Sequence, residues 1–135
     1  MAMRDYARLQ TATLIRRMAF QLNRAESHTD SDSVHDLRVA IRRLSRCLRA
    51  FAPLYPNRYW KKIRRELAAL MQSTGAVRDR DIAIELLGQA GISRRAAVIT
   101  RLQAERRRAA HDLSLEIRRW KSHDTSRKWR SRLEL

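Results

Sequence analysis

Little in this sequence interrupts a helix, and almost nothing in it could staple one to another covalently. Cys47 is the only cysteine. No internal disulfide can form, and the reducing cytoplasm is the expected setting. No apolar run approaches the roughly 18 to 20 residues that span a bilayer, and the opening MAMRDYARLQ lacks the apolar segment of a signal peptide; no membrane association is expected. The three glycines (75, 88, 91) and two prolines (53, 56) all fall between positions 53 and 91, so the rest is free to be helical. Acids are scarce as well: 14 against 30 basic side chains leave a formal charge of +16. Because 44% of residues are still hydrophobic, this is no disordered basic tail. One folded cationic domain over 1–135 is expected.

What the chain has in excess is arginine. Of the 30 basic residues, 26 are arginine, and the lysines are 61, 62, 121 and 128. A GC-rich coding bias favours that ratio, but it leaves the net charge unexplained. Guanidinium is a planar fork that holds phosphate oxygens bidentately, whereas an ammonium acts more as a hydrated point charge.

The apolar spacing predicts helices throughout. A first helix over about 4–25 has Leu14, Ile15, Met18 and Leu22 as its stripe, and SHTDSDS reads as a loop. Ser33 then caps a helix over 34–51, with Asp36 in a capping-box-like position. Its Val34, Leu37, Ile41, Leu44, Leu48 and Phe51 alternate at spacings of three and four. After PLYPN, Asn57 caps a third helix whose buried face is Trp60, Ile63, Leu67, Leu70 and Met71, and Gly75 stops it. A short helix over about 77–87 ends at Gly88 and Gly91. Ser93 caps a long last helix with Ile99, Leu102, Ala109, Leu113, Ile117 and Trp120 on one side, and the tail SHDTSRKWRSRLEL adds a turn or two. With no strand-like alternation, the fold class is all-α, an antiparallel four-helix bundle with an additional short helix.

Opposite the apolar stripe of 34–51, His35, Arg38, Arg42, Arg46 and Arg49 form a second stripe, about one residue per turn. The bland reading is the solvated back of a surface helix, its charge relieved by neighbouring acids. Here the relief is missing, since the segment has five arginines and a single acid, Asp36. Like charges at i, i+4 cost tenths of a kcal/mol per pair, which points to a polyanion as partner. Lys61, Lys62, Arg64 and Arg65 extend the field on the next helix. The run 106-RRR-108 points in three directions and reads as mostly solvated charge. Arg78, in 77-VRDRD-81, reads first as the structural partner of a carboxylate, unless it faces a ligand.

Catalysis has little to stand on. His35 and Asp36 are adjacent, so on a helix they point about 100° apart, and His28, His111 and His123 show no ligand spacing with them. There is no phosphate-cradling glycine loop and no nucleophile with a base in suggestive context. No metal, no cofactor and no enzymatic step are expected.

With these residues in view, the chain resembles the CHAD family, the conserved histidine α-helical domains that bind inorganic polyphosphate. The resemblance rests on 35-HDLRVAIRRL-44, with its continuation to Phe51, and on 66-ELAALMQSTGAVRDRDI-82. It implies an all-helical, non-catalytic protein whose basic surface grips a phosphate chain and can direct it to polyphosphate granules. His35, Arg38, Arg42 and Arg43 match the first motif, and Arg78 with Asp79 the second. Arg46, Arg49, Lys61 and Arg64 are added from helix geometry and local charge. Arg43 lies about 100° from Arg42 and serves a different edge. Family members typically hold two such bundles in pseudo-twofold relation, whereas each motif occurs once here. The chain therefore looks like half a CHAD domain, either a homodimer in which a second copy restores the missing half or a fragment of a longer protein.

Polyphosphate suits these side chains because it carries charge along a flexible string and has no bases to read. Arginines about 5.4 Å apart along a helix supply forked donors at close spacing. His35 adds a further ring N–H donor to the same stripe. The alternative is a nucleic-acid-binding basic helical protein, which needs a helix that enters a groove or aromatics that stack on bases. Trp60 reads as core-facing, leaving Trp129, Tyr55 and Tyr59 for stacking. Nonspecific nucleic acid binding at low salt is expected of any chain at +16.

Overall fold

The computed structural model describes residues 2–135. Helices α1 (Met3–Ser27) and α2 (Ser31–Ala50) are followed by a 3-10 turn (Ala52–Leu54), α3 (Asn57–Gln89), α4 (Ala97–Ser122) and α5 (Thr125–Arg132). No strand occurs among the described residues. Helix α1 packs on α2, α2 on α3, α3 on α4, and α4 returns to α1. Short connections make sequence neighbours antiparallel, so the four long helices close a bundle.

The predicted stripes fill its centre. Ile15, Met18 and Leu22 meet Leu37, Ile41, Leu44 and Leu48, with Ile63, Leu67 and Leu70 from α3 and Leu113 and Ile117 from α4. Each such burial stabilises the fold by about 1.5–3 kcal/mol. The 3-10 turn is tied to α1 by Tyr55, whose hydroxyl lies 2.6 Å from that of Thr11 and donates to the Ala7 carbonyl at 3.2 Å.

Gly75 does not end the third helix. Helix α3 runs unbroken for 33 residues and absorbs the short helix expected over 77–87. A glycine inside a helix costs only about 1 kcal/mol relative to alanine, and packing on α2 and α4 outweighs it. The helix stops at Gly91, whose φ is +85°. The Gly91 N–H donates to the Gly88 carbonyl and the Ile92 N–H to that of Leu87, a Schellman ending that a left-handed glycine permits.

The expected caps are displaced too. Ser33 is buried in the first turn of α2 and donates to Asp30 Oδ1 at 2.5 Å; that bond lowers the Asp30 carboxyl pKa from its ordinary value. Asn57 is the first residue of its helix, after Pro56, and α4 starts at Ala97, while the Ser93 hydroxyl accepts the Arg95 N–H in the preceding turn.

The additional short helix is α5, in the tail. It buries Trp129 completely, edge-on to Trp120 with ring centroids 4.4 Å apart, and Leu133 joins the same core. Trp129 is therefore not free for stacking: its indole N–H donates to Glu66 Oε2 at 2.8 Å. Tyr55 is buried as well.

Candidate functional site

Helix α2 turns its apolar side inward and leaves His35, Arg42, Arg43, Arg46 and Arg49 exposed, with Arg38 half-buried toward α3. The Arg38 Nη1 donates to the Met71 carbonyl at 3.1 Å and to the Thr74 hydroxyl at 3.0 Å. Thr74 is itself buried and donates to the same carbonyl at 2.8 Å. Gly75 makes the approach possible, because a Cβ there would stand 3.0 Å from Arg38 Nη1. The residue that the sequence offers as a helix stop is thus a gap in the side-chain layer of α3 through which an arginine passes.

Arg38 has acceptors for Nη1 but no counter-charge at ion-pair distance. Burial first, then the neighbouring Arg42 and Arg78 cations, lower its pKa from the ordinary arginine value, and Asp79 opposes them. Arg78 is half-buried and donates to the Ser31 hydroxyl at 3.3 Å, at the start of α2. It forms no ion pair among the described residues, so the expected carboxylate partner gives way to a place at the start of α2, where its charge acts on Arg38. The two sequence blocks, some forty residues apart, converge here.

The charge of the surrounding surface is equally uncompensated. Seven ion pairs occur among the described residues, and none includes His35, Arg38, Arg42, Arg43, Arg46, Arg49, Lys61, Arg64 or Arg78. Asp36, the one acid of the helix 34–51 segment, is taken by Arg24 of α1 at 2.5 Å. On α3, Lys61 and Arg64 are exposed, and the Arg64 guanidinium lies 5.4 Å from the Trp60 ring centroid. Trp60 faces the core as expected, and its indole donates to the Leu48 carbonyl at 2.7 Å.

Not all the assigned residues share one edge. Arg43 and His35 line a groove of about 640 Å³ between α1 and α2, together with Arg16 and Arg17, whereas Arg38 reaches from α2 to α3 and Arg78 from α3 to α2. Sequence reasoning missed Arg16 and Arg17, which belong to a helix whose basic residues form no stripe. It also missed Ser31, Thr74 and the Met71 carbonyl, for which only the packing of α3 on α2 gives a signal. Arg106, read as solvated, is a structural clamp: it pairs with Asp81 at 2.6 Å and donates to the Thr29 carbonyl.

Among the described residues, no group of three or more His, Cys, Asp and Glu side chains is placed to hold a metal ion, and no helix is long and apolar enough to cross a membrane. A family model, the CHAD domain, matches residues 11–134. No curated protein and no solved structure matches the chain.

Proposed function

The chain belongs to the CHAD domain family, whose members are associated with polyphosphate-related proteins, and on that premise we propose that it binds inorganic polyphosphate on the basic surface shared by α2 and α3. The binding is non-catalytic. One observation carries the reading: Arg38 is a half-buried cation flanked by Arg42 and Arg78, with no carboxylate at pairing distance. A partly desolvated charge among like charges is unfavourable until an anion arrives, and phosphate oxygens match the guanidinium fork.

The aromatics argue against a base-reading surface. Trp129 and Tyr55 are buried, and Tyr59 lies under two guanidinium groups, those of Arg58 and Arg132. Two copies related by a twofold axis would present their basic faces to one phosphate chain. Ile82 and Leu86, exposed one turn apart on α3, offer that partner an apolar contact. The mass in solution tests this pairing, and a strict monomer that binds polyphosphate tightly sinks it. Association with polyphosphate granules follows from the binding.

The deciding experiment is competition at about 150 mM salt, where long-range steering is screened: labelled polyphosphate on the protein, challenged by unlabelled polyphosphate or by duplex DNA of equal total charge. Polyphosphate is expected to compete more strongly by at least about tenfold, an advantage that Arg38→Ala with Arg42→Ala removes. Equal competition by DNA would leave a generic cationic bundle.

A further inference from the structure

On the first half of α3 the assigned residues are Lys61 and Arg64 alone, but the positive charge extends beyond them. Arg58, Lys61, Lys62, Arg64 and Arg65 are all exposed on the first half of this helix. At about 100° per residue these side chains cover an arc of about 160°, in the order Arg64, Lys61, Arg65, Arg58 and Lys62, so the charge wraps the whole solvent side of the helix from one flank of its buried face toward the other. Lys62 lies on the side toward α4 and α5. There it lines a cleft of about 510 Å³, with Arg119, His123, Lys128 and Arg132 around it and Trp120 in its wall.

This cleft shares the main feature of the α2 surface. None of its basic side chains takes part in an ion pair among the described residues. Its two acids already have donors: Glu66 accepts the Trp129 indole N–H at 2.8 Å, and Glu116 accepts the Ser73 hydroxyl. Tyr59 joins the cleft to the start of α3, because the guanidinium carbons of Arg58 and Arg132 lie 4.6 and 5.7 Å from its ring centroid.

We infer that the α3–α4–α5 cleft is a second phosphate-binding site, occupied by a distal part of the same polyphosphate chain that lies on α2 and α3. The inference rests on the polyphosphate reading above. A chain leaving Arg64 crosses Lys61 and Arg65 and reaches Lys62, Lys128 and Arg119. To do so it must bend around one helix, whose diameter with side chains is about 10–12 Å. A flexible phosphate string does this readily, whereas a DNA duplex, with a persistence length of about 150 base pairs, meets only one side. Binding at the second site is intramolecular once the first is filled, so affinity grows with polymer length beyond what the α2 surface alone gives.

The test compares a short oligophosphate with long-chain polyphosphate. Lys62→Gln/Arg119→Gln/Lys128→Gln changes three exposed, unpaired residues. Arg94→Gln/Arg95→Gln/Arg101→Gln is the charge-matched control, drawn from equally exposed and unpaired positions at the α3–α4 end. The cleft variant is expected to lose about tenfold in affinity for the long chain and almost nothing for the short one, with the control near wild type for both. Equal losses in the two variants, equal losses at both lengths, or no loss at all overturns the cleft. A wild-type protein that does not prefer polyphosphate to DNA overturns the underlying reading, and the cleft with it; that result is read before any variant is made.

Discussion

Gly75 and Arg38 are one device made of two residues. Alanine at 75 would place a methyl group 3.0 Å from Arg38 Nη1, and the guanidinium, as the end of a flexible side chain, would move away. Gly75→Ala gains about 1 kcal/mol of helix propensity and loses hydrogen bonds worth a similar amount. Thermal stability should therefore change little while polyphosphate affinity falls, a separation that calorimetry and a binding titration can measure. Tyr55 makes the opposite case, a residue that serves the fold. Burial pushes its phenol pKa up, with the Thr11 hydrogen bond opposing. A raised folded pKa means that its contribution is complete below the unfolded value of about 10 and is lost as pH rises through the folded value. Tyr55→Phe should cost about 1 kcal/mol at neutral pH and flatten the alkaline loss of stability in denaturant titrations. The sequence marks both positions but not their roles: Gly75 reads as a stop and Tyr55 as a free aromatic, because neither α2 beside α3 nor Ala7 beside Tyr55 is a local fact.

At the scale of elements, α3 decides the shape of the site. Only an unbroken α3 carries Lys61, Arg64, Thr74 and Arg78 on one rod, and so places Arg78 at the start of α2. The second half of that rod is fixed to α4 by Asp81 and Arg106, whose side chains are 15% and 22% exposed. Arg106→Gln leaves the Asp81 carboxylate half-buried without its cation and should destabilise the protein by about 1–3 kcal/mol. Adding Asp81→Asn should restore part of the loss, and the double-mutant cycle, read by denaturant unfolding, measures the coupling. Helix stripes were legible because the 3.6-residue period is local. The continuity of α3 was not, because propensity disfavours glycine and only packing on two neighbours overrules it.

For the whole molecule, a formal charge of +16 opposes compaction, and among the described residues every cation of α2, and every cation of α3 except Arg80, is left without an ion pair in the folded state. A polyanion that binds only the folded chain must therefore stabilise it by mass action. Long-chain polyphosphate should raise the unfolding temperature by several degrees at low salt, with the gain shrinking as salt rises. Scanning calorimetry over a salt series would show it, and an unchanged midpoint would mean that the basic surface does not engage the polymer. By itself the sequence determined the all-helical class, the core stripes, the excess of arginine and the two blocks that place the chain in its family, because periodicity, composition and motif are properties of short stretches. Only the tertiary structure decided that Arg78 lies beside Arg38 instead of on a carboxylate, that Trp129 is core and that Arg106 is a clamp. Those roles depend on which charges lie within a few ångströms of one another, and distance across the bundle is set by helix packing.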